Sequence, residues 1–332
     1  MKYLLPKTNY YKANLHTHTT ISDGVMTPEE MKAFYKDHGY QILALTDHNL
    51  TIPHNDLTDP DFLMITGTEV DLAVANARKT CHLCLLSRDP ESNWIPFRDP
   101  GILEHMKAYE PLCQSEDLPQ AYSPENINRV IAKANEKGFL VTYNHPCWSL
   151  EFYEDYSHYE GLWAMEYRNS GCIPSGYDED NGWVYREFLN QGKRPMPIMA
   201  DDAHGIVGKR NGYPVAGRSW TMVGAEKLEY GAVMDALAAG EVYSSCGPEI
   251  YSLTYEDGVL RVTCSPAAKI RLFKSRRPHR LEWGEGITEA EFPMGKWCEY
   301  CKDEPNAWFY LIITAADGTY AVTKAYSVKD LL

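Results

Sequence analysis

His16-Thr17-His18 opens a polar stretch ending at Gly24, directly after the extended run Tyr11-Lys12-Ala13-Asn14-Leu15. A strand turns successive side chains to opposite faces, so His16 and His18 emerge on one side, about 7 Å apart along the backbone. Two neutral imidazoles aimed at one point, with the carboxylate of Asp23 five residues on, are donors that a divalent transition metal takes. Asp202-Ala203-His204 repeats the same spacing near residue 200. Between these lie His48 after Thr46-Asp47, Glu69 after Gly67-Thr68, His82, and His145 after Asn144. Six imidazoles and three carboxylates are enough for two or three ions, each with room left for water. Glu69 is the natural bridge, because a carboxylate has two oxygens and can hold two cations together.

The elements that must position these groups alternate in type over the first 245 or so residues. Thr27-Pro28-Glu29-Glu30 is a capping box with proline at the first helical position, and Gly39 stops the helix it opens. Gln41 to Leu45 is an apolar run that delivers Thr46-Asp47-His48. Leu63-Met64-Ile65 leads to Glu69, and Phe139 to Tyr143 delivers Asn144-His145-Pro146. Pro197 to Ala200 delivers Asp201-Asp202-Ala203-His204. Ser123-Pro124-Glu125 caps another helix, closed by Gly138. Buried strands separated by helices predict a parallel sheet or an α/β barrel, with polar residues gathered where strands end. His82, inside Cys81 to Leu86, breaks that strand-end rule. The Pro-, Asp- and Glu-rich stretch over 87–120 reads as an insertion or lid.

From about Ser245 onward the texture changes to short strands with turns at Asp257-Gly258 and Asp317-Gly318. The expected strands are Ile250 to Tyr255, Val259 to Cys264, Lys269 to Phe273, Trp308 to Thr314 and Tyr320 to Tyr326. Together they predict a small antiparallel sandwich over 246–332, appended to a catalytic unit over 1–245.

Composition bounds the rest. The 332 residues carry a net charge of −14, which argues against a sequence-independent grip on a nucleic-acid polymer. A metal cluster reverses the sign locally, so a small anionic substrate remains open. Nine cysteines, an odd number spread along the chain, read as free thiols. Cys81-x-x-Cys84 and Cys298-x-x-Cys301 have zinc-like spacing, but the first pair lies in a strand with its members on opposite faces, and the second lacks a partner pair. No apolar run approaches the roughly 18 residues of a membrane span, and the start is too short for a secretory signal, so a cytoplasmic location is expected.

The order and wording of the polar pieces resemble the PHP (polymerase and histidinol phosphatase) superfamily. The match rests on His16-Thr17-His18, Ser22-Asp23-Gly24, Thr46-Asp47-His48, Gly67-Thr68-Glu69, His82, Asn144-His145-Pro146 and Asp202-Ala203-His204. The resemblance implies a distorted (β/α)7 barrel and up to three divalent ions. It places His16, His18, Glu69 and Asp202 on one ion, Glu69, His82 and His145 on a second, and Asp23, His48 and His204 on a third. Asp201 rivals Asp202; the i, i+2 spacing to His204 favours Asp202. Gly240 to Pro248, followed by strands, resembles the CehA/McbA-like metallohydrolases, which carry a carboxyl-terminal β domain and include phosphoesterases and a carbamate-ester hydrolase.

The implied chemistry is hydrolysis by water that the metal ions activate, with Glu69 bridging and a small phosphorylated metabolite or nucleotide as substrate. The same centre would serve a carboxyl or carbamate ester or an amide, and a non-catalytic, metal-stabilised binding module is the third reading. Zn, Mn and Fe suit these donors alike, with Mg also open. Arg168, Lys209, Arg210 and Arg218 are the candidate anion clamps. Glu166 reads as a support behind the ligands, His54 as a loop histidine or proton donor, and Ser22 as a local cap rather than a nucleophile.

Overall fold

Seven strands line up in chain order in the computed structural model, which describes residues 1–73, 78–177, 180–208 and 211–331. They are β1 (Asn9–Asn14), β2 (Ile42–Leu45), β3 (Leu63–Ala73), β4 (Thr80–Ser87), β5 (Phe139–Tyr143), β6 (Ala164–Asn169) and β7 (Met196–Ala200). Each pairs with the next. Helices α1 (Pro28–Asp37), α2 (Pro124–Glu136) and α3 (Gly182–Asn190) connect them. α1 starts where expected: the Thr27 side chain accepts from the Glu30 amide, and Glu30 reaches back to the Thr27 amide. Gly39, at φ 76°, ends it.

The expected α/β sheet is present, and it departs from a parallel barrel in two ways. β1, β2 and β3 are parallel, as are β5, β6 and β7, but β4 runs antiparallel to both its neighbours. Reversal brings the beginning of β4 to the face where β3 and β5 finish. His82 stands opposite Asp71, and Leu83 opposite Tyr143. The apparent exception at His82 is therefore the same strand-end rule applied to a strand running backwards.

The second difference is that the ladder does not close into a continuous ring. β8 (Trp220–Ala225) takes the free edge of β1 over residues 9–13 in antiparallel register. β7 can meet β1 only beyond its end, through the Thr17–Ala203 bridge. The His18 amide donates to Ala203 O and the Asp202 amide to His16 O, each at 3.0 Å. These two bonds lock both metal-type motifs to each other.

The carboxyl-terminal part extends the same sheet through α4 (Tyr230–Ala239), β9 (Val242–Ser245), β10 (Ile250–Glu256), β11 (Val259–Lys274), β12 (Arg280–Pro293), α5 (Gly295–Cys301), β13 (Trp308–Thr314) and β14 (Tyr320–Thr323). These strands continue one hydrogen-bonded ladder while packing a core largely of their own. Two expected strands fuse into β11, whose register shifts around Ala267 let its first half pair with β10 and its second with β13. Both halves bury side chains in one core, including Leu260, Ile270, Leu311 and Ile313. β12 escaped the sequence reading because it is an exposed edge strand, charged and glycine-containing, without an apolar alternation.

No residue of 87–120 lines the cavity discussed below, and the stretch packs against the loop that carries Asp23. Ile95, Met106 and Cys113 share a small core with Ile21 and Leu50, and the His105 Nε2 lies 2.6 Å from Ser22 O.

Asp201 ties the end of β7 to the chain before β8. Its buried carboxylate accepts from the amides of Gly217, Arg218 and Ser219 at 2.6, 3.0 and 2.7 Å, and from the Tyr35 hydroxyl at 2.9 Å. Asp201→Ala would leave four donors without an acceptor and should cost about 3 kcal/mol or more of unfolding free energy. Urea denaturation checks this: a midpoint unchanged from wild type would show that the carboxylate anchors nothing.

Candidate metal centre

The candidate donors converge where β1, β3, β5 and β7 end and β4 begins. Nε2 of His16 and Nε2 of His18 lie 3.1 Å apart. Each faces Glu69 Oε2, at 3.3 and 3.2 Å, and Asp202 Oδ1, again at 3.3 and 3.2 Å. His18 turns its other nitrogen toward a second group with Asp23, His48 and His204, in which Asp23 Oδ1 lies 3.1 Å from His204 Nε2. The other Glu69 oxygen meets His82 Nδ1 at 3.2 Å and His145 Nε2 at 3.1 Å. All nine candidates thus come together around one buried carboxylate.

Asp71 is the member that sequence reasoning missed. Its Oδ1 lies 2.8 Å from His82 Nε2 and 3.4 Å from His48 Nδ1, and it forms a third potential ligand group with His48, Glu69 and His82. The signal was available: Glu69 and Asp71 are two apart on β3 and share a face.

Local structure explains the placement. Asp47 accepts from the amides of Thr19 and Ser22 at 2.8 and 3.1 Å and from both hydroxyls, so it folds the loop that carries Asp23. Ser22 is held there as a partner of Asp47, the local cap the sequence suggests. Gly24 packs so closely that a Cβ would sit 2.6 Å from His18 O. Three non-glycine residues at the site, Asn49, His145 and Asp202, have positive φ of 55°, 25° and 50°. Strained backbone of this kind persists only where surrounding contacts over-determine it.

Glu166 supplies such contacts. Its Oε1 lies 2.7 Å from His16 Nδ1, leaving the Nε2 side of that ring facing Glu69 and Asp202. Its Oε2 accepts from the His145 amide at 2.8 Å and from Asn169 Nδ2 at 2.7 Å. Asn144 in turn donates to Glu69 Oε1 at 2.7 Å. A carboxylate or amide behind a donor, as at His16 and Glu69, fixes orientation and raises ligand basicity.

The electrostatics are those of a site suited to cations. Burial alone would raise the Glu69 carboxyl, but the imidazoles of His16 and His82 outweigh it and hold the group well below the usual range. Burial opposes charge on His48, while the Asp71 carboxylate beside it wins and pushes its pKa up to about 9. His18 Nδ1, His48 Nδ1, Asp71 Oδ1 and Asp202 Oδ1 are buried and face ionisable neighbours without a well-directed hydrogen bond. Buried donor atoms of this kind, on histidines and acids only, fit divalent ions such as Zn, Mn or Fe.

The cluster forms the floor of a cavity of about 610 Å³. Asp23, His48, Glu69, Asp71, His82, His145, Asp202 and His204 line it, with Trp148, Cys172, Pro174, Val207 and Val215 among the apolar walls. Of the expected anion clamps, the two that are described, Arg168 and Arg218, are not among the cavity lining. Arg168 donates to Ser219 Oγ at 3.1 Å, away from the lining, and Arg218 contributes its amide to Asp201. Lys209 and Arg210 lie outside the described residues. His54 does not reach the cavity. Cys81 packs in the core while Cys84 faces Asn144, and Cys298 and Cys301 are buried in the carboxyl-terminal core, so neither pair forms a metal clasp.

Metal loading should release protons. The folded-state pKa of His48 lies above the ordinary 6.5, so its charged form supports the metal-free protein fully below about 6.5 and loses that effect as pH rises through about 9. A metal needs the neutral ring, so apparent affinity should rise with pH toward 9. Calorimetry of Mn²⁺ or Zn²⁺ binding in two buffers of different ionisation enthalpy measures this. Uptake without proton release would show that the imidazoles are already neutral.

The PHP domain model matches residues 14–190, more than half of the chain. No curated protein sequence matches. Among solved structures, a two-domain protein from Bacteroides vulgatus, described as containing a PHP-like metal-dependent phosphoesterase, is 15% identical, covers 98% of both chains and gives a TM-score of 0.46. A protein from Bifidobacterium adolescentis, assigned to the metal-dependent phosphoesterases, is 14% identical over 63% of this chain and 94% of its own, at 0.37. An amidohydrolase from Chromobacterium violaceum with bound sulfate is 16% identical over 58% and 87%, at 0.34. With the family model spanning the strands and loops that carry His16 through His145, this chain belongs to the PHP domain family.

Proposed function

We propose that this protein is a metal-dependent hydrolase, and within that class a phosphoesterase acting on a small phosphorylated substrate. The observation that carries the reading is the meeting of four donor atoms, from His16, His18, Glu69 and Asp202, in one buried spot. We assign these four to one ion, Glu69, His82 and His145 to a second, with Asp71 beside it, and Asp23, His48 and His204 to a third. Divalent ions held there supply Lewis acidity for an oxyanion and a water acidic enough to ionise near neutral pH.

The chain's own residues do the rest. Glu69 presents one oxygen to His16 and His18 and the other to His82 and His145, so it joins the groups. Glu166 and Asn144 keep those rings and that carboxylate in place before any substrate arrives. Three divalent ions would bring six positive charges against four from Asp23, Glu69, Asp71 and Asp202. The surplus of two attracts an anion into a pocket of an otherwise acidic protein. That balance supports a phosphate group as the reacting end, without requiring a lysine or arginine.

One observation favours a second reading, hydrolysis of a carboxyl or carbamate ester or an amide: among the described residues, the cavity lining holds no Lys or Arg. Phosphate release from a panel of phosphomonoesters, set against hydrolysis of naphthyl esters by the same metal-loaded protein, separates the two. The resemblance of Gly240 to Pro248 to the CehA/McbA-like group is compatible with either.

Glu69→Gln keeps the shape of the bridging group but removes its charge, and should lower kcat/KM by a factor on the order of 10³. Circular dichroism and thermal melting must show an intact fold. Unchanged hydrolysis in a folded variant would instead support a non-catalytic, metal-stabilised module.

A further inference from the structure

We infer that the substrate carries a flat apolar group next to its reacting end, and that Trp148 is the residue that recognises it; this rests on the phosphoesterase reading. The Trp148 ring centroid lies 4.9 Å from that of His145 and 5.1 Å from that of His82. Any group attached to an anion held by those histidines' ions therefore meets the indole within one ring's width. Trp148 keeps 37% of its surface exposed, although large aromatic side chains gain most by burial. Trp148 lines the cavity, and Cys172, Pro174 and Val207 line it too without offering a charge.

The turn that presents Trp148 is anchored on both sides. The His145 amide donates to Glu166, and the Ser149 amide donates back to His145 O at 3.1 Å. The Thr80 amide at the start of β4 donates to Ser149 O at 3.2 Å. Past the turn, the buried Glu151 carboxylate accepts from the hydroxyls of Tyr122 and Tyr143 at 2.8 and 2.7 Å, and from Tyr159. An exposed indole on so fixed a backbone loses little freedom when a ligand stacks on it, which makes it a preorganised platform.

The cavity is thus mixed in character. Among the described residues, its lining joins histidines and carboxylates, suited to cations and one anionic group, with an indole, small apolar side chains and the hydroxyl residues Thr80 and Ser175. A sugar phosphate or polyphosphate would leave hydroxyls or extra charges against the apolar groups, at a desolvation cost. A monoester whose alcohol is aromatic fits both kinds of group.

Phenylphosphonate and methylphosphonate share a charged head and resist hydrolysis, so their binding to the metal-loaded protein isolates the second group. Wild type should bind the phenyl compound roughly tenfold more tightly, the scale of one aromatic contact. Trp148→Ala should bring the ratio close to one, and Trp148→Phe should retain most of it. Equal affinities in wild type, or a preference that survives Trp148→Ala, would overturn the inference while phosphomonoester hydrolysis stood. The wild-type ratio decides the matter even should Trp148→Ala fail to fold. If neither phosphonate binds and no phosphomonoester is cleaved, the phosphoesterase reading falls, and this inference with it.

Discussion

A carboxylate taken fully out of water must be compensated or it will protonate, and the amino-terminal part of this molecule is arranged around one that is compensated. Glu69 sits at the point where seven strands bring their polar ends together, with imidazoles on both of its oxygens. Those imidazoles come from segments as far apart as residues 16 and 145, so the cluster exists only once the sheet has formed. Compensation by histidines alone leaves the site with several buried donor atoms lacking a well-directed hydrogen bond. That residual frustration is what a set of cations would relieve.

Support for the cluster is layered. Glu166 holds His16 and the His145 backbone, Asn144 holds Glu69, and Asp47 shapes the loop of Asp23. Asp201, beside a donor, faces the opposite way and secures the chain between β7 and β8. Two adjacent aspartates therefore divide chemistry from architecture. Asp202 itself has a positive φ of 50°, a backbone conformation that surrounding contacts must hold in place.

Much of this was legible in the linear sequence because the rule behind it is short-ranged. Alternation along a strand puts His16 beside His18, capping chemistry starts α1 at Thr27, and apolar runs end where polar motifs begin. What escaped was set by long-range pairing. The reversal of β4, which explains His82, depends on which neighbours it finds rather than on its own residues. Asp71 was passed over although it shares a face with Glu69, since its value becomes visible only when His82 is set opposite it. Arg168 could be assigned to a strand end but not to a direction, and it turns to Ser219. The β12 edge strand carries no burial pattern to read, because little of it is buried.

The account stands most directly on anomalous diffraction from crystals grown with Mn²⁺ or Zn²⁺, recorded on both sides of the metal absorption edge. It predicts a strong peak among His16, His18, Glu69 and Asp202, with further density on the far side of Glu69. Ions bound elsewhere while that spot stays empty, at saturating metal and neutral pH, would contradict it.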